Sequence, residues 1–232
     1  MPIKLLPAQK ELFRINPQEQ SLIVGYGGTR SGKTFGSARL TAYCGYKIPG
    51  MESLLGAASL DQADNTVLLQ TRQQLDLEGI EFTERAKRGK KQIQLFNNSE
   101  YNIVGYNNQA LFKQKGRAFG YVWIDECTKM TPEDLGEIQG RMSGVGPGMI
   151  LLTCNPEGPA HWLYKDYIKT GRCKVVFFPI QDNADNLPSD YIPNLKKNSP
   201  WFMWLRLGLG QWAAAEGAIF PNFRTENCMV NH

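Results

Sequence analysis

Lys33 and Thr34 close the run Gly27-Gly28-Thr29-Arg30-Ser31-Gly32-Lys33-Thr34, whose spacing G-x-x-x-x-G-K-T suits a grip on a polyphosphate. Glycines permit a tight turn, so successive backbone N–H groups can converge on phosphate oxygens. In such a loop the Lys33 ammonium reaches the β- and γ-phosphates, and the Thr34 hydroxyl binds magnesium. The loop needs a strand before it and a helix behind it. Residues 22–26 supply an apolar strand and residues 34–46 a helix, whose positive N-terminal end adds to the cradle. A chance match in a glycine-bearing loop is the alternative, and this flanking context argues against it. The chain is expected to bind a nucleoside triphosphate with Mg2+.

A second constellation is Tyr121-Val122-Trp123-Ile124-Asp125-Glu126. Four apolar residues make a buried strand, and two carboxylates follow at its C-terminal end, where open α/β sheets bind ligands. Paired with a phosphate loop, Asp125 takes the magnesium role through water and Glu126 the general-base role toward an attacking water. The plainer alternative is that both carboxylates cap a helix near Thr131-Pro132-Glu133. Leu151-Leu152-Thr153-Cys154-Asn155-Pro156 ends another apolar strand in polar groups. Thr153 and Asn155 are placed to sense a γ-phosphate, against the simpler reading of an Asn-Pro turn closing a strand.

Other residues are less specific. The Gln9 amide suits an adenine edge, which would favour ATP over GTP, although an exposed helical glutamine is the commoner case. Arg30, inside the phosphate loop, and Arg117, ahead of the carboxylate strand, are the two candidates for a guanidinium that stabilises charge on the γ-phosphoryl, from this chain or a neighbour. A surface salt bridge is the alternative for either. The basic run 85–91 can grip a phosphate backbone or form a solvated turn. His161 and His232 are too isolated for a metal site.

These groups need a frame that brings strand ends together. Residues 5–13 and 61–77 have helical spacing, 92–106 alternates like a β-hairpin about Asn97-Asn98, and 121–124, 149–153 and 175–178 read as short apolar strands. Strands alternating with helices predict an α/β fold with a mostly parallel central sheet flanked by helices, a hairpin insertion, and a helical and linker tail after Pro179. At 232 residues, 42% hydrophobic and 21% charged, the chain suits one sizeable core. The balance of 26 basic and 22 acidic residues permits nucleic-acid contact without requiring it. The 5 cysteines form no C-x-x-C pair and read as reduced thiols. No signal peptide and no apolar run long enough for a membrane span is present, so a cytoplasmic location is expected.

With these motifs in place, the chain resembles the ATPase domain of the tailed-bacteriophage terminase large subunit. Residues 27–34 resemble that family's arginine-bearing Walker A, with the arginine one position later than in many relatives. Residues 122–126 resemble its Walker B with the catalytic glutamate, Thr153-Cys154-Asn155-Pro156 its coupling motif, and Gln9 its adenine-reading glutamine. Gly210-Gln211-Trp212 and Glu216-Gly217-Ala218-Ile219-Phe220 resemble the end of that domain. The resemblance implies a P-loop NTPase fold of the additional-strand (ASCE) type over 1–212, with a linker at 213–232. It implies ATP hydrolysis that drives double-stranded DNA into a procapsid, in a host cytoplasm. The implied partners are duplex DNA, a portal protein, a small terminase subunit and a nuclease domain, which is expected to be absent from this chain. A homo-oligomeric ring, a pentamer, is implied for the active motor, with a monomer in isolation. Two other functions compete: a helicase-like remodelling ATPase, which would need a second lobe that nothing after Phe178 resembles, and a nucleotide-gated assembly module with little turnover, against which the intact Asp125-Glu126 pair speaks.

Overall fold

The computed structural model describes residues 4–87, 90–106 and 116–215. A helix α1 (Pro7–Arg14) leads into β1 (Leu22–Gly27), the phosphate loop and α2 (Lys33–Lys47). Then come β2 (Glu52–Ala57), α3 (Leu60–Ala63), a π-helical turn (Asp64–Leu68) and α4 (Leu69–Leu77). The strands β3 (Phe82–Lys87), β4 (Lys90–Leu95), β5 (Glu100–Gly105) and β6 (Tyr121–Ile124) precede α5 (Pro132–Gln139), β7 (Met149–Cys154) and β8 (Lys174–Phe178). The tail holds a 3-10 turn (Ile180–Asn186), α6 (Tyr191–Asn198), α7 (Trp201–Met203) and a closing π-helical turn (Trp204–Gly208).

All strands join one 8-stranded sheet in the order β3-β4-β5-β2-β6-β7-β1-β8. From β5 to β8 every neighbouring pair is parallel, while β3, β4 and β5 form an antiparallel edge. Apolar side chains cover both faces, with Ile23, Trp123 and Leu151 on one and Val24, Val122 and Ile150 on the other. This two-sided burial explains the unbroken apolar runs of β1, β6 and β7. Strand β7 lies between β1 and β6, so the ends of the phosphate-loop strand, the carboxylate strand and the Thr153-Asn155 strand adjoin at one rim.

The structure adds to these expectations at three places. Strand β2 has no counterpart in the sequence reading. The hairpin over 92–106 is part of a three-element meander in which β3 and β4 pair through Arg85↔Gln92 and Lys87↔Lys90. The basic run is therefore mostly strand, not a solvated turn, although Arg88 and Gly89 lie outside the described residues. Finally, the helix over 61–77 carries a π-helical turn, and an ion pair between Asp64, at the start of that turn, and Lys91 ties it to β4. Residues 216–220, which resemble a domain end, lie outside the described residues.

Gly27 shows how closely the loop is bound to the sheet. It pairs with Phe178 on β8, and a Cβ there would sit 2.0 Å from the Phe178 carbonyl oxygen. Gly27→Ala must push β8 away from β1, and is expected to lower folding stability by about 3 kcal/mol. A urea unfolding midpoint that falls with an unchanged slope checks this.

Candidate active site

Local backbone rules build the site first. Gly32 ends the loop in the left-handed region at φ 84° and caps α2. Arg30, at φ 54°, also takes that conformation, which is strained for a side chain with a Cβ and costs about 1–3 kcal/mol. The Arg30 carbonyl accepts a hydrogen bond from Asn183 Nδ2 at 2.7 Å. Glu126, at the same site, also takes that conformation, at φ 53°, and its carbonyl accepts from Tyr106 Oη at 2.8 Å. Strain of this kind is retained where the surroundings over-determine it. The helix-capping alternative for the carboxylates fails, because α5 is capped by Thr131 and Asp134, whose side chains and backbone N–H groups bond reciprocally.

Five expected side chains come together. Lys33 Nζ donates to the carbonyls of Gly28 (2.6 Å) and Gly27 (3.2 Å) and to Asn155 Oδ1 (2.9 Å), while Asn155 Nδ2 donates to Glu126 Oε1 at 3.4 Å. The Thr34 hydroxyl donates to Asp125 Oδ2 at 3.3 Å. Burial drives the electrostatics. It lowers the Lys33 pKa against the pull of Asp125, and raises those of Asp125 and Glu126, the latter also through repulsion from Asp125. A hydroxyl and a carboxylate are the hard oxygen ligands that magnesium takes alongside water, so Thr34 and Asp125 fit that ion.

Lys33, Thr34, Glu126 and Asn155 line a cleft of about 590 Å3. Residues 29–34 form one wall, with Ser31 bonded to the Gly28 carbonyl at 2.8 Å. Asn65, Thr66 and Gln70, from the π-helical turn and α4, contribute polar groups to the same cleft. A larger cavity, about 890 Å3, lies beside the turn between β4 and β5 at the opposite rim, and none of the phosphate-loop residues lines it.

Gln9 sits beside the loop, but it is not an exposed helical residue. It is 3% exposed, donating through Nε2 to the Gly32 carbonyl at 3.0 Å and accepting the Leu6 N–H at 2.9 Å. One N–H and one lone pair remain for a base edge.

Arg117 lies apart from the other expected site residues. Its guanidinium bonds Asn102 at 2.6 Å and Glu100 at 3.0 Å, with Glu52 at 3.4 Å. Glu52 and Glu100 start β2 and β5, whereas the phosphate loop follows the C-terminal end of β1. The two ends of a parallel sheet are a full strand apart, so Arg117 does not serve this chain's own cleft. Arg30 is exposed and lines that cleft.

Two contacts escaped the sequence reading. The tail docks on the loop: Thr29 N–H donates to the Leu207 carbonyl at 2.7 Å, and a Cβ on Gly28 would meet that oxygen at 2.6 Å. Trp212 then packs against Tyr26, His161 and Tyr164. The other is a buried bond from Trp123 Nε1 to Thr153 Oγ1 at 3.0 Å. Among the described residues there is no cluster of three or more His, Cys, Asp or Glu fit for a metal, no helix long and apolar enough to cross a membrane, and no disulfide, since Cys44, Cys127, Cys154 and Cys173 are buried free thiols.

Comparison with known proteins places this geometry. No curated protein sequence matches the chain. Among solved structures, the large terminase of a thermophilic bacteriophage in complex with ADP superposes with a TM-score of 0.80 at 17% identity, over 96% of this chain and 57% of that one. The same protein in complex with ATP-gamma-S gives 0.77 at 17% identity, over 96% and 56%. The large terminase ATPase domain of Thermus phage P74-26 gives 0.66 at 14% identity, over 90% and 94%. The chain thus spans just over half the length of the first of these two proteins, and the likenesses establish the fold, a P-loop ATPase-type α/β sheet. A family model described as the N-terminal part of the terminase large subunit, T4likevirus-type, matches residues 24–227, most of the chain, and the chain belongs to that family.

Proposed function

We propose that this chain hydrolyses ATP and uses the cycle to move double-stranded DNA into a viral procapsid. The observation that carries the reading is the Asn155 bridge: one amide accepts from the Lys33 ammonium at 2.9 Å and donates to the Glu126 carboxylate at 3.4 Å. The group that meets the γ-phosphate and the group that meets the water therefore share one partner, directly after a strand that belongs to neither motif. When phosphate oxygens compete for Lys33, the Asn155 amide and Glu126 must readjust. This is the two-position element that a coupling step requires.

In the hydrolytic step, Glu126 accepts a proton from water as the water oxygen attacks the γ-phosphorus. The bond to the β–γ bridging oxygen breaks, releasing ADP and phosphate. Lys33 and the N–H groups of the loop and the first turn of α2 stabilise charge on the phosphoryl oxygens. Magnesium, held by Thr34 and through water by Asp125, would supply neutralisation of the phosphates when bound. Arg30 adds a guanidinium from the cleft wall, and Gln9 reads the adenine edge with its remaining N–H and lone pair.

Family membership supports the remaining assignments: duplex DNA gripped through its phosphate backbone and hence salt-sensitive, a homo-oligomeric ring of five subunits, a portal protein and a small terminase subunit as partners, action in the host cytoplasm, and a nuclease domain elsewhere. Residues 1–212 form the ATPase domain in this reading and 213–232 a linker. Asn155→Ala tests the coupling. ATP affinity should stay within about twofold while turnover falls about tenfold and loses its stimulation by duplex DNA. Unchanged turnover that is still stimulated by DNA would contradict the role given to Asn155.

A further inference from the structure

We propose that Trp123 is a positioning residue for the magnesium carboxylate, acting through Thr153. The inference rests on the nucleotide reading above and adds a residue which the motifs leave as an apolar filler of β6. Trp123 pairs with Leu151 across β6 and β7, so Thr153 is its diagonal neighbour on the same face. Its Nε1 donates to Thr153 Oγ1 at 3.0 Å. Indole nitrogen is a donor only, whereas a hydroxyl has one proton and two lone pairs. The direction of this bond is therefore fixed, and the Thr153 proton is left to go elsewhere.

That proton has two acceptors within reach, Asp125 Oδ1 at 2.7 Å and the Ile124 carbonyl at 3.4 Å. The shorter bond, to a carboxylate, is the stronger. Trp123 and Thr153 are fully buried and Asp125 is 5% exposed, so water does not compete. Gly25 completes the arrangement: a Cβ there would lie 3.3 Å from Thr153 Cγ2, so the absence of a side chain leaves room for the threonine methyl in this rotamer. Asp125 is thus held at one oxygen by Thr153 and at the other by Thr34. An aliphatic residue would satisfy the buried strand equally well; the indole adds to that bulk an N–H donor that reaches Thr153.

The test is the magnesium dependence of equilibrium binding of a fluorescent ADP analogue to the whole chain, with thermal melting of every variant alongside. Thr153→Val should raise the magnesium needed for half-maximal binding about tenfold and Trp123→Phe about threefold, consistent with loss of an outer partner of a metal ligand. Thr153→Ser should stay near the parent. Because Trp123 acts only through Thr153, the double variant W123F/T153V should need no more magnesium than T153V alone. Should Trp123→Phe fail to fold, site-specific replacement of Trp123 by 3-benzothienylalanine exchanges only the N–H for sulfur and should give the same threefold shift. Additive effects in the double variant, or an unmoved magnesium dependence in W123F or the sulfur analogue, would overturn the proposal and leave Trp123 as packing alone. A parent protein that binds no nucleotide at any magnesium concentration would instead refute the nucleotide reading itself, and one that binds it without regard to magnesium would overturn the metal role of Asp125 on which the proposal stands.

Discussion

Glu126→Gln should lower the rate of ATP turnover on the order of a thousandfold, the scale of a lost general base, while ATP binding stays within about twofold. The amide keeps the shape of the side chain and cannot accept a proton from water. Its backbone, held at φ 53° with the carbonyl bonded to Tyr106, is not altered by the change. Phosphate release under single-turnover conditions, beside equilibrium ATP binding, separates the two quantities. Turnover within tenfold of the parent would take the general-base role away from Glu126.

Arg30→Ala should also lower turnover on the order of a thousandfold in the assembled protein with duplex DNA present, the lower end of what a charge-stabilising arginine contributes to phosphoryl transfer. Arg30 is exposed, lines the cleft, and has no ion-pair partner among the described residues. Its backbone is pinned by Asn183, so removing the side chain leaves the loop conformation supported. Arg117→Ala is the matched control. Its guanidinium serves Glu52, Glu100 and Asn102 at the far rim, so the change should cost about 1 kcal/mol of stability and leave the turnover of an isolated chain within about twofold. The reverse pattern, with Arg117 essential and Arg30 dispensable, would mean that the decisive guanidinium reaches the cleft from a neighbouring subunit.

The parts of the site legible in the sequence are those whose chemistry is local. Residues 27–34 form a loop because their own glycines and flanking strand and helix require it. Asp125 and Glu126 end a strand whose four residues are all apolar. What is not legible depends on partners distant in sequence. Strand β2 reads Glu-Ser-Leu-Leu-Gly-Ala, without a β-branched residue, and becomes a strand because β5 and β6 flank it. Strand β3, Phe-Thr-Glu-Arg-Ala-Lys, is an edge strand whose charges mask its pairing with β4, in keeping with how edge strands resist aggregation. Arg117 and Arg30 look alike in sequence, and only the direction of the sheet sends one to each rim. Gln9 reads in the sequence as an exposed residue or a base reader, whereas its principal bonds fasten α1 to the phosphate loop. The docking of Leu207 on Thr29 leaves no trace in any local pattern.

The bond from Trp123 to Thr153 belongs with these long-range features, and it links the carboxylate strand to β7, which leads into Asn155. Together with the Asn155 bridge, it makes β7 the element on which both halves of the site lean.

The most direct measurement is steady-state phosphate release from ATP with and without duplex DNA, beside Glu126→Gln. A turnover that DNA stimulates and that vanishes in the variant is the result expected of a DNA-translocating ATPase built on this site. Tight ATP binding with no turnover under any condition, or a turnover that survives in Glu126→Gln, would contradict it.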